Sequence, residues 1–106
     1  QNIISPDKPH EITPQLIIEV VSEHFNITID QIMSKTRSND IAKPRQIAMY
    51  LCKNLTNQPL DTIGQLLGGR DHSTIIHGIK KITEEYKTNE TLRNTVDTIK
   101  KKINPN

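Results

Sequence analysis

From Thr13 onward, apolar side chains recur every third or fourth position, in segments separated by short polar stretches. That period belongs to helices with one buried stripe, and no segment alternates for long enough to predict a half-buried strand. The first segment has clear start signals. Thr13 stands in the N-cap position and Pro14 at the first helical position, where a missing N–H costs nothing. Ile17, Val20, Val21 and Phe25 form its stripe, and Asn26 ends it. Thr28 and Gln31 then have the spacing of a capping box. They open a short second helix with Ile29, Ile32 and Met33 turned inward.

A polar basic loop is expected over residues 35–43, with a third helix beginning near Pro44. Ala48, Leu51, Cys52 and Leu55 make its buried stripe, while Arg45, Gln46, Met49 and Lys53 lie on another side. Gln46 and Lys53 are seven apart and nearly eclipse along the axis, as a strip that follows a phosphate backbone would. Pro59 starts a fourth helix with Leu60, Ile63, Gly64 and Leu67 at helical spacing. Gly64 in mid-helix costs about 1 kcal/mol relative to Ala, so a close approach by another helix is expected there. Gly68 and Gly69 form a turn in which at least one residue takes positive φ. The fifth helix runs from about Asp71 to Tyr86 on a core face of Ile75, Ile79, Ile82 and Tyr86. After Thr88 and Asn89, a sixth places Leu92, Val96, Ile99 and Ile103 inward.

The pattern therefore predicts an all-α fold, a compact bundle of roughly six helices containing a helix-turn-helix with a basic loop. Residues 1–12, with Pro6 and Pro9 among polar neighbours, read as a linker from an upstream module, and residues 13–106 as the domain. A start at Gln1 reads as an excised fragment. The core must be aliphatic, because the chain has one Phe, two Tyr and no Trp. Its single cysteine excludes an internal disulfide and points to a reducing compartment. No apolar run is long enough to span a membrane, and no signal peptide opens the chain.

The net charge of +2 conceals an uneven distribution. Residues 35–81 carry eight basic side chains against three acidic ones, a balance of +5, and the remainder balances to −3. A positive middle between mildly acidic ends is the footprint of a polyanion binder.

Three other chemistries fail on geometry. Asp71, His72 and Ser73 contain the residue types of a hydrolase triad, but neighbours on a helix point about 100° apart and cannot pass a proton in line. His72 and His77 are five apart, about 140° around a helix, where paired metal ligands prefer i, i+4. The glycines near 64–69 lack the Lys-Ser/Thr pair of a phosphate loop. No metal, cofactor or catalysis is expected of this chain.

DNA binding gives each remaining element a task. The four short polar residues Asp71, His72, Ser73 and Thr74 open the fifth helix immediately after the turn. Recognition helices present such side chains to base edges in the major groove. Asp71 has two readings, as an N-cap and as an acceptor from a cytosine amino group. Ser73 and Thr74 suit a phosphate or a base, and His77, a turn further on, a phosphate. Arg37 in the basic loop is placed to enter an adjacent minor groove, where A·T stretches are narrow and strongly negative.

Two blocks carry a resemblance. Ile63-Gly64-Gln65-Leu66-Leu67-Gly68-Gly69-Arg70-Asp71-His72-Ser73-Thr74-Ile75-Ile76-His77 and Ala42-Lys43-Pro44-Arg45-Gln46-Ile47-Ala48-Met49-Tyr50-Leu51 resemble the C-terminal DNA-binding domain of the bacterial replication initiators of the DnaA family. The likeness runs from about Thr13 to the last helix. It implies a domain that binds short asymmetric boxes of double-stranded DNA at the replication origin, in the cytoplasm at the nucleoid. It implies that Arg37, Asp71, His72 and Ser73 read bases. It also implies that Arg45, Gln46, Lys53, Thr74 and His77 contact the DNA backbone, with Pro59 opening a helix near phosphate. ATP binding and self-assembly would belong to a module outside this chain, leaving the isolated domain a monomer. Ser73 stands where many members have Thr, and Thr36, Asn39 and Asp40 make the loop less basic than in some. The alternative is a helix-turn-helix transcription regulator that binds as a dimer.

Overall fold

The computed structural model describes residues 11–105, which form six helices and, among them, no strand. They are α1 (Pro14–Phe25), α2 (Ile29–Met33), α3 (Asn39–Leu55), α4 (Leu60–Leu66), α5 (His72–Thr88) and α6 (Glu90–Ile103). The linker expected over residues 1–12 lies, apart from Glu11 and Ile12, outside the described residues.

The helix ends follow the local chemistry. Thr13 Oγ1 accepts the Leu16 N–H at 3.1 Å, and Asn26 closes α1 in the left-handed region at φ 57°. The capping box of α2 is complete. The Gln31 N–H donates to Thr28 Oγ1 at 3.0 Å, and the Thr28 N–H donates to Gln31 Oε1 at 2.8 Å. Asn89 caps α6 by accepting the Leu92 N–H at 3.1 Å.

The third helix departs from expectation by starting five residues earlier, at Asn39, with Pro44 inside it. The Ser38 carbonyl accepts the Ile41 N–H at 3.0 Å and the Ala42 N–H at 2.8 Å, which closes a first turn ahead of the proline. Ile41 is buried, so its apolar side chain draws this turn onto the domain. Asp40, whose carbonyl a proline at 44 leaves without a helical donor, is exposed to water.

α3 is the central strut and packs against α1, α2, α4 and, most extensively, α5. From Ile47 to Cys52 every residue is buried, so this stretch is covered all round rather than along one stripe. Met49 belongs to this core, not to a polar side, and packs where Gly78 of α5 leaves room for its Sδ. The remaining core is largely isoleucine, with Ile17, Ile32, Ile47, Ile63, Ile75, Ile82 and Ile99 fully buried. In α1, Ile18 is buried where Val20 was expected, and Val20 and Phe25 are half-buried at the margin. α6 buries the four predicted residues and lies against α1 and α5. Tyr86 ties α5 to both neighbours. It stacks on Tyr50 with centroids 6.2 Å apart, and its hydroxyl donates to Asp97 Oδ1 at 2.7 Å. Cys52 sits inside this packing with its thiol pushed up to about 12 by burial, a structural residue rather than a nucleophile.

Candidate nucleic-acid interface

α4 and α5 are joined by a turn that backbone chemistry dictates. The Gly64 carbonyl accepts the N–H groups of both Gly69 and Arg70 at 2.9 Å. A Cβ at position 64 would overlap the carbonyl oxygen of Arg70, so the close approach that requires glycine is to the turn itself rather than to another helix. Gly68 and Gly69 both take positive φ, 92° and 77°. This turn aims the start of α5 outward.

Asp71 caps that start, its Oδ1 accepting the Thr74 N–H at 2.9 Å. Hydrogen bonding from Thr74, its side chain first and its backbone N–H second, holds the Asp71 carboxyl below its ordinary value. Asp71, His72, Ser73 and Thr74 are all exposed, whereas Ile75, the next residue, is fully buried. The first turn of α5 therefore rests on its own apolar face and presents its polar face to solvent. His77 and Lys80 continue the exposed side. Ile76 lies there too, 46% exposed, an apolar side chain among polar ones that the sequence reading did not single out.

Beside this turn runs an open cleft. It is lined by Lys35 and Arg37 of the 34–38 loop, Ala42, Arg45 and Gln46 of α3, Arg70 of the turn, and Thr74 and His77 of α5. Four cations line it and, among the described residues, no carboxylate does. The cleft thus brings together five predicted residues, Arg37, Arg45, Gln46, Thr74 and His77. Asp71, His72 and Ser73 adjoin it through the first turn of α5. Lys53, exposed two turns beyond Gln46 on α3, and exposed Pro59 at the N-cap of α4 lie outside its lining.

Two of the four arginine and lysine groups are not free. Arg45, only 6% exposed, donates through Nε to the Ile32 carbonyl at 2.6 Å. It also donates through Nη1 to Thr36 at 3.0 Å and through Nη2 to Ser34 at 2.9 Å. Arg70 Nη2 donates to the same Ser34 carbonyl at 2.5 Å, and its Nη1 donates to the carbonyls of Leu67 and, at 3.3 Å, Met33. The two guanidiniums hold the end of α2 and the loop after it between them. Burial lowers the pKa of both from its ordinary value, and neighbouring Arg70 lowers that of Arg45 further. Arg45, expected among the DNA-backbone contacts, has its guanidinium engaged with the carbonyls of α2 and the loop. Lys43 is also engaged, in a half-buried pair with Glu85 at 2.6 Å. Arg37 is exposed.

The described residues contain no group of three or more metal-ligating side chains. Among the described residues, no helix is long and apolar enough to cross a membrane. His24 contacts Lys102, Nδ1 to Nζ 2.8 Å, and its pKa is lowered by burial and by that ammonium.

Six helices with a glycine turn between α4 and an outward-facing α5 define a helix-turn-helix domain. A family model described as the bacterial dnaA protein helix-turn-helix matches residues 14–82, and the chain belongs to that family. It is 50% identical over 105 residues to a chromosomal replication initiator protein DnaA of Lachnoclostridium phytofermentans, covering 99% of this chain and 23% of that one. The chain thus spans about a quarter of that relative's length. A solved structure titled as a DNA replication initiation factor matches with a TM-score of 0.76 at 29% identity. That match covers 85% of this chain and 27% of the other.

Proposed function

We propose that this domain binds short asymmetric boxes of double-stranded DNA in the initiation of chromosome replication, and that it does so without catalysis or cofactor. The observation that carries this reading is the exposed, capped first turn of α5 standing beside a cleft lined by four cations and, among the described residues, no carboxylate. A helix N-terminus with short polar side chains is a base reader, and the adjoining cleft suits the phosphate strand that runs past it. His72 and Ser73 reach base edges in the major groove. Asp71, with Oδ1 on its own helix, has Oδ2 to accept from a cytosine amino group. Ile76 offers an apolar surface to thymine methyl groups. Arg37 enters the minor groove on the near side. Gln46, Lys53, Thr74 and His77 contact backbone, Pro59 brings the start of α4 near it, and Arg45 acts through the loop it holds. The names of the replication-initiator relatives support a role on chromosomal DNA, and the setting that goes with this reading is the nucleoid in the cytoplasm. In this reading, nucleotide binding and self-assembly belong to a module outside this chain.

Selection of binding sites from random duplexes tests this reading. The expected outcome is one asymmetric box bound by a monomer. Palindromic half-sites bound by a stable dimer would favour a transcription regulator instead, and no shift of any duplex at low salt would overturn DNA binding altogether.

A further inference from the structure

We propose that Arg70 is a positioning residue for recognition: it fixes the distance between the minor-groove arginine of the loop and the base-reading turn of α5. The inference rests on the reading of Arg37 and of α5 given above. Arg70 immediately precedes Asp71 in the chain, while its side chain crosses to the carbonyls of Met33 and Ser34, four and three residues before Arg37. One residue therefore belongs to the turn by its backbone and to the loop by its side chain. Arg45 grips the same Ser34 carbonyl from α3 at 2.9 Å, so this peptide is held from two sides.

Gly68 is built around the bridge. A Cβ there would overlap the Met33 carbonyl oxygen and stand 2.8 Å from Arg70 Nη1. The absence of a side chain at 68 thus serves both the φ of 92° and the space through which the guanidinium passes. No carboxylate pairs with Arg70 among the described residues. A guanidinium spent on three carbonyls, two of them at the end of α2, does a job that a single ammonium cannot, because a planar fork reaches several acceptors in fixed geometry. Rigid spacing matters because Arg37 and His72 must meet two grooves of one duplex, and a displacement of either loses its contact.

The test is footprinting of the selected box by the parent chain, Arg37→Ala, Arg70→Lys and the double variant. Minor-groove protection of the flank and major-groove protection of guanine N7 are read separately, with protein in excess and folding confirmed by circular dichroism. Arg70→Lys keeps the charge and removes the bridge. The expected result is loss of minor-groove protection with major-groove protection retained. In affinity, Arg37→Ala should weaken the parent about tenfold but the Arg70→Lys background less than about threefold, since contacting pairs couple and independent sites add. A merely stabilising arginine would change melting and leave the cost of Arg37→Ala the same in both backgrounds, and that result overturns the proposal. So does an Arg70→Lys chain that protects both grooves like the parent. If Arg70→Lys does not fold, Gly68→Ala, which crowds the same bridge, is read by the same criteria. A parent chain that protects neither groove would instead sink the DNA-binding reading itself.

Discussion

The turn before α5 and the loop before α3 carry the two groups of proposed readers, and they are held in opposite ways. The turn is fixed by its own backbone. The Gly64 carbonyl collects three N–H groups, from Leu67, Gly69 and Arg70, and Gly68 and Gly69 supply φ values that other residues rarely adopt. The loop is fixed from outside, by two guanidiniums that arrive from α3 and from the turn and occupy its carbonyls. A backbone-determined connection is local and self-sufficient. One determined by side chains depends on two other elements being in place, so its geometry reports on theirs.

Variants on each side sharpen this contrast. Gly64→Ala attacks the turn at the carbonyl of Arg70 and should have the largest effect, about 3 kcal/mol of stability in urea unfolding, with binding lost alongside. A neutral Gly64→Ala would mean that the turn relaxes at little cost. His72→Ala removes a reader carried by the turn. It should weaken binding by about 1–3 kcal/mol and relax preference at a single base position, measured by repeating the site selection. Arg37→Ala removes the reader carried by the loop. A loss of about 1–2 kcal/mol is expected on a box with an A·T flank and a much smaller one after G·C replacement. Equal losses on both flanks would take Arg37 out of the groove. Lys53→Ala touches neither connection and should have the smallest effect. It should weaken all duplexes alike and flatten the slope of log affinity against log salt by about 0.9. An unchanged slope would remove Lys53 from the phosphate contacts.

The same contrast explains what the sequence discloses. The six helices, most of their caps and the polar start of α5 follow from apolar spacing and cap chemistry, because those signals lie within a few residues of one another. The glycine turn is readable for the same reason, although the partner of Gly64 is Arg70 rather than a second helix. The start of α3 is misplaced because Pro44 resembles a first-turn proline, while the deciding fact, burial of Ile41, is tertiary. Arg45 and Arg70 look like two more surface cations. Their partners are main-chain carbonyls, which every residue has, and for Arg70 some lie 36 and 37 positions away. No pattern of side chains announces such a bond. The exposed polar first turn of α5 belongs to the legible part, and the framework that holds the loop of Arg37 does not.

Cys52 has a practical consequence. It is the chain's one cysteine, closed off inside α3, and a thiol raised to about 12 is protonated at neutral pH. Maleimide dyes attack thiolates at accessible positions and should leave it untouched in the native protein. A cysteine introduced at exposed Thr98, on α6 and outside the cation-lined cleft, would then be the sole attachment point for a fluorophore. Single molecules could be followed along DNA without first stripping the interior of its sulfur.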